Sequence, residues 1–179
     1  MNLLQTGLIA IWAMLPAYIP NNIAVIFGGG PPIDLGYTLR GNRLLGDGKT
    51  WRGTFAGIFA GAGLAGMLNL IHPLVNDLIA VPRFPIGAGV ALPAGAMLGD
   101  LMASFMKRRT GRARGHAFPL VDQLDFVVAS LGLTWLVSPQ WFDATFTLPI
   151  ILIVVLITPV LHVLTNVIAY LFALKQEPW

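Results

Sequence analysis

LPIILIVVLITPVLHVLTNVIAYLFAL, residues 148–174, contains no Asp, Glu, Lys or Arg. A helix needs roughly 20 mainly apolar residues to cross the hydrocarbon core of a bilayer, so this stretch reads as a membrane span. The composition agrees. Of 179 residues, 56% are hydrophobic and only 11% charged, and the mean hydropathy is +0.75, well outside the range of a soluble globule. Working outward, four more stretches have the same character: Leu3–Phe27, Gly53–Ile71, Phe84–Met106 and Pro119–Val137. The first has no basic n-region and runs too long for a secretory leader, so it too reads as a helix. The expectation is an all-α integral membrane protein of about five transmembrane helices, forming one catalytic domain over residues 1–179.

The cations orient the chain. Of eleven Lys and Arg, four (Arg40, Arg43, Lys49, Arg52) lie between the first two spans and five (Lys107, Arg108, Arg109, Arg112, Arg114) between the third and fourth. Lys175 follows the last span, and Arg83 alone falls on the opposite side. By the positive-inside tendency both basic loops and the C-terminus are cytoplasmic and the N-terminus is outside, in a multi-pass protein of the cell membrane. Such loops, flanked by bilayer-length apolar runs, favour anionic headgroups or phosphates over nucleic acid. With no cysteine in the sequence, disulfides and thiolate chemistry are excluded.

Within the spans, Gly53, Gly57 and Gly61 recur every four residues, as do Gly95 and Gly99. Stripes of this kind let helix backbones approach closely in lipid and permit a homodimer without requiring one. Pro16 and Pro20 interrupt the first span just before Asn21 and Asn22, and Pro93 lies inside the third. Each proline frees a backbone carbonyl that must find another partner in a medium without water; Asn22 is then either a helix end at headgroup level or a polar contact in a site.

The chemistry concentrates in GDLMASFMKRRTGRARGHAFPLVDQLDF, residues 99–126. Asp100, Ser104, Lys107 and Arg108 share one face of a helix. An aspartate inside a span is expensive and faces a cavity or a partner, and a neighbouring cation is the simplest partner. Asp122 and Asp125, at i and i+3 after Pro119, project from one side of a helix start. Two carboxylates so close repel unless a cation lies between them. A hard divalent ion with oxygen ligands satisfies both, with Asp100 completing the set and positions left for phosphate oxygens, the manner in which magnesium binds. The intervening basic loop, with His116 at its edge, suits a metal-bound polyphosphate. In the other basic loop, DGKTWRG (Asp47–Gly53) combines a glycine turn with Lys49 and Thr50 at a helix start, where backbone amides favour anions.

These elements resemble the CTP-dependent phosphatidate cytidylyltransferases. That family's pattern is matched by Gly99-Asp100, Ser104, Lys107-Arg108, Gly115-His116 and Asp122 with Asp125, and its upstream K-T-W-E-G by Lys49–Gly53. Arg52 stands in place of the glutamate and Gln123 in place of an arginine; these departures and the short chain are closer to the compact archaeal branch, the CDP-archaeol synthases. The resemblance implies that a lipid phosphate and CTP react to a CDP-activated lipid and pyrophosphate, the lipid being an unsaturated ether lipid, 2,3-bis-O-geranylgeranylglycerol 1-phosphate. It assigns Asp100, Asp122 and Asp125 to Mg2+. It assigns Lys107, Arg108, Lys49 and Arg52 to phosphates, and Ser104, Thr50, His116 and Asn22 to polar contacts, with Asp47 in the same substrate-binding block.

Two rivals stand beside this reading. A CDP-alcohol phosphotransferase also uses carboxylates and magnesium, but the DG-x-x-AR element is missing. A small transporter or channel could use Asp100, His162 and Asn166 as a polar path, but inverted repeats are not visible.

Overall fold

The computed structural model describes residues 2–110 and 121–171. Helix α1, Leu3–Tyr18, begins on a reciprocal cap in which Asn2 accepts from the Gln5 amide and Gln5 accepts from the Asn2 amide. Pro20 then occupies the first position of α2, Pro20–Ile26, so the first span bends at Ile19. The remaining helices are α3 (Trp51–Asn76), α4 (Ile86–Arg109), α5 (Val121–Val137), α6 (Pro139–Thr145) and α7 (Leu148–Leu171).

Four segments are long and apolar enough to cross a membrane: Leu3–Ile26, Trp51–Asn76, Ile86–Arg109 and Leu148–Thr165. Helix α5, with 17 residues, covers about 25 Å at 1.5 Å per residue and is the shorter fifth. Its expected start at Pro119 falls outside the described residues. The second span extends further in both directions than hydropathy suggested, because Thr50 caps it and the chain stays helical through Pro73 to Asn76. Hydropathy also gave no sign of α6, nor of the hairpin between α2 and α3. There β1 (Thr38–Leu39) pairs antiparallel with β2 (Asn42–Arg43) across Arg40 and Gly41, both at positive φ, as a two-residue turn demands.

The glycine stripes set how close the helices lie. A methyl group at Gly53, Gly57 or Gly61 would stand 3.0, 2.7 or 2.5 Å from the carbonyl oxygens of Ala24, Pro20 and Pro16 respectively. Successive turns of α3 therefore run directly against the backbone of α1 and α2. The contact also answers where the freed carbonyl goes. Pro16 O would ordinarily accept from residue 20, which is a proline without an N–H; it lies instead against the Cα of Gly61, where a weak C–H donor is available.

The other stripe is longer than the two glycines seen in sequence. Gly95 and Gly99 of α4 face Ser130 and Asp125–Phe126 of α5, and Gly87 faces Ser138 just past its end. A Cβ at Gly95 would be 2.5 Å from Ser130 Cα, and one at Gly99 would overlap the Asp125 carbonyl. Ser130 then donates to Leu92 O at 2.8 Å, pinning the seam. Helix α1 packs against α3, α4, α5 and α7, and the core closes on Met14, Leu92, Val127 and Val154.

Gly99→Ala puts its methyl into main chain that no rotamer change can move, so α5 must shift. The expected cost is about 1–3 kcal/mol, read as a lowered unfolding temperature in detergent. Gly63, with nothing within 4 Å of its would-be Cβ, is the control: Gly63→Ala should leave stability unchanged or raise it slightly.

Candidate functional site

The first basic loop is folded around one residue that the sequence reading passed over. Asp34 has a side chain only 1% exposed. Its Oδ1 accepts from Arg43 Nη2 at 2.5 Å and from the Gly36 amide at 3.2 Å; its Oδ2 accepts from Arg43 Nε and from the amides of Leu45 and Gly46 at 2.9 and 3.0 Å. The paired Arg43 guanidinium, followed by those amides, holds the Asp34 carboxyl far below the ordinary carboxylate range against the opposing effect of burial. The Asp-Leu-Gly sequence, in which the carboxylate bonds the amide two residues on, was the available signal.

The same loop is tied to α3 and α4. Ile33 N donates to Lys49 O at 2.8 Å and Pro32 bridges to Thr50. Thr50 caps α3, its hydroxyl accepting from the Gly53 amide at 3.2 Å in a buried position. From α4, Arg109 donates to the carbonyls of Leu39, Asn42 and Arg43 at 2.7, 3.1 and 2.8 Å and lies over the Phe105 ring at 5.4 Å. Arg108 packs its guanidinium on Gly46, at φ +96°, where a Cβ would be 3.1 Å from Nη2.

These contacts bring Lys49 to Asp100. Its Nζ donates to Asp100 Oδ2 at 2.5 Å, with both side chains about one quarter exposed. The cation on Asp100 therefore comes from the first basic loop rather than from Lys107 on its own helix. One turn beyond Asp100 stands Ser104, and then Lys107 and Arg108, all partly buried on α4. Across the glycine seam is Asp125, whose backbone touches Gly99 and whose Oδ1 accepts from the Phe126 amide at 2.6 Å.

Several expected residues are placed differently. Of the other loop cations, Arg43 is committed to Asp34 and Asp47, and Arg109 to main-chain carbonyls. Asp47 is exposed and pairs with Arg43 Nη1 at 2.5 Å, and Arg52 is exposed on the first turn of α3. Asn22 donates to Tyr18 O at 3.2 Å, so its amide bonds the helix before the bend. It is Asn21 whose Oδ1 is buried without a partner. Among the described residues no three acidic or histidine side chains converge. His116 and the side chains of Asp122, His162 and Asn166 lie outside the described residues, and with them one wall of the metal set and the polar path of the transporter reading.

Because the Asp34 carboxyl is held below its usual range, its contribution to stability is fully present above the unfolded value near pH 4 and is lost only as pH falls through the lowered one. Trypsin cleavage after Arg40 and Arg43, normalised at each pH to that of an unstructured peptide, should therefore be flat from pH 8 to 6. Asp34→Asn should accelerate it about tenfold by loosening the loop.

A family model described as CarS-like, CDP-archaeol synthase, matches residues 1–179. The CDP-archaeol synthase of Natronomonas pharaonis is 59% identical over 186 residues, covering 98% of each chain. That of Halobacterium salinarum is 58% identical over the full length of both, and that of Methanosarcina barkeri 48% identical over 93% of this chain and 100% of its own. A solved structure described as an intramembrane enzyme for archaeal membrane lipids biosynthesis superposes with a TM-score of 0.70 at 37% identity, covering 88% of this chain and 92% of that one.

Proposed function

This chain belongs to the CarS-like CDP-archaeol synthase family, a CTP-dependent cytidylyltransferase acting on an archaeal lipid phosphate, and we propose that the Lys49–Asp100 junction is the floor of its active site. The observation carrying this is the 2.5 Å ion pair itself, which joins the two motifs that sequence places 51 positions apart. The acceptor we assign is the unsaturated ether lipid 2,3-bis-O-geranylgeranylglycerol 1-phosphate.

In the reaction an oxygen of the lipid phosphate forms a bond to the α-phosphorus of CTP, while the bond from that phosphorus to the bridging oxygen of pyrophosphate breaks. A phosphate monoester is already anionic at neutral pH, so a protein nucleophile is unnecessary. The protein's work is to hold two anions in line and neutralise them. Lys107 and Arg108, two turns beyond Asp100 on one face of α4, are suited to the triphosphate. Lys49, held by Asp100, can move onto a phosphate oxygen without crossing the site. Ser104, Arg52 and His116 supply further donors, and the buried Thr50, whose hydroxyl accepts the Gly53 amide, sets the start of α3 at the edge of the site.

The carboxylates fit a hard cation. Gly99 lets the Asp125 turn lie directly against the turn that carries Asp100, and all the donors are oxygens. Asp100, Asp122 and Asp125 would hold Mg2+, which when bound neutralises charge on the triphosphate. The clustering of basic residues on the α3 start and the α4 end supports a cytoplasmic site.

Pyrophosphate release from CTP is the direct test. It should require both magnesium and the lipid phosphate and be faster with the geranylgeranyl ether than with a saturated ether or an ester. Asp125→Asn and Lys49→Met should each lower turnover by two orders of magnitude or more. Wild-type rates in both variants would remove the junction from the site. A cysteine at Arg112 should react with a membrane-impermeant maleimide only in inverted vesicles; labelling in intact cells would reverse the orientation.

A further inference from the structure

A sizeable cavity lies away from the Lys49–Asp100 junction. It has a volume of about 910 Å3 and lies at the other end of α4, bounded by Asn69, Arg83, Phe84, Val137, Ser138, Gln140 and Trp141 with the two adjoining prolines. Nothing in the chemistry above uses it.

Its wall is held with unusual care for a loop between two spans. Four consecutive residues have their carbonyls bound by side chains from three helices. His72 Nε2 meets Val81 O at 3.0 Å, Trp12 donates to Pro82 O at 3.0 Å, Trp141 donates to Arg83 O at 2.6 Å, and Asn69 donates to Phe84 O at 2.8 Å while accepting the Phe84 amide at 2.8 Å. The Arg83 side chain is fixed as well. Its Nε donates to His72 Nδ1 at 3.2 Å, which makes His72 the tautomer with its proton on Nε2. The two terminal nitrogens of Arg83 have no hydrogen-bond partner among the described residues, and no carboxylate lines the cavity.

A positioned guanidinium with two open nitrogens and no counter-ion calls for a planar or tetrahedral oxyanion. Ser138 and Gln140 add neutral hydrogen-bonding groups on the facing wall. Beside the cavity mouth the surface becomes apolar: Ile86 is 88% exposed and Leu136 69%, at helix ends that hydrocarbon must cover. A ligand that satisfies both surfaces carries its anion on Arg83 and its chains along α4 and α5. We infer that this corner binds the phosphate headgroup of an anionic membrane lipid, in the leaflet opposite the Lys49–Asp100 junction.

The bound lipid would tie α3, α4 and α6 together at the end of α4 remote from the chemistry. The inference does not rest on the catalytic assignment, since none of its residues belongs to the catalytic set.

The test uses the full chain purified in nonionic detergent. Phosphatidylglycerol is the probe, with uncharged diacylglycerol and inorganic phosphate as comparisons, and native mass spectrometry and thermal unfolding are the readouts. Wild type should retain one phosphatidylglycerol more than Arg83→Gln and bind it about tenfold more tightly at that site, with a rise in unfolding temperature that the variant lacks. Gln140→Glu leaves the carbonyl web intact, places a like charge in the cavity and should expel the same lipid, so a failure of Arg83→Gln to fold does not shield the idea. Equal lipid retention by wild type and Gln140→Glu overturns it. Equal stabilisation by diacylglycerol also overturns it. Competition by inorganic phosphate at millimolar concentration would identify a soluble anion as the occupant and overturn the lipid assignment.

Discussion

Direct contact between the backbones of α4 and α5 is the constraint on which the site depends. In lipid, helices gain little from burying apolar surface against one another, so close packing and small residues decide which faces meet. Gly99 permits the Asp125 turn to rest on the Asp100 turn, and Gly95 permits the same one step further in. Two acidic residues are thereby brought to adjacent turns of neighbouring helices. The same contact that stabilises the bundle thus determines how far apart its carboxylates stand. A larger residue in the seam would change both together.

The α4 end plays a second part, as the support for the loop between α2 and α3. Arg109 holds the hairpin through carbonyls, Arg108 sits over Gly46, and Lys49 closes on Asp100. Asp34 makes this arrangement rigid from within. The loop is better described as a small folded cap than as a connection between spans, and this is why the residues of DGKTWRG arrive at α4 rather than in solvent.

Much of this was legible in the sequence for definite reasons. Mainly apolar runs of bilayer length gave the spans, the four-residue glycine period gave their contact faces, and the i, i+4 spacing of Asp100 and Ser104 gave the face of α4 on which the proposed site is built. Membership of the family confirmed the activity that the motifs implied. Other features depended on partners distant in sequence. Lys49 and Asp100 meet only because the loop folds. Arg43 and Arg109 look like free cations until Asp34 and three carbonyls are found beside them. Asn22, just past the bend, bonds the last residue of α1, while the buried Oδ1 of Asn21 has no partner; one residue of phase decides this, and the break at Pro20 removes the periodicity that would have revealed it. The Arg83 corner left no trace in the sequence beyond a lone cation, since its character comes from side chains of three helices meeting one extended segment.

Beside the Arg43–Asp34 pair, many of the contacts that shape the cap are made to main-chain atoms. Asp34 addresses the amides of residues 36, 45 and 46, and Arg109 the carbonyls of residues 39, 42 and 43. Main-chain groups are the same whatever side chain they carry. Positions such as Tyr37, Leu39 and Asn42 are therefore open to substitution over evolutionary time, whereas the number of residues between Asp34 and Gly46 is not. Drift in this lineage should be written as exchange of residues within the cap, with insertions and deletions displaced to its borders.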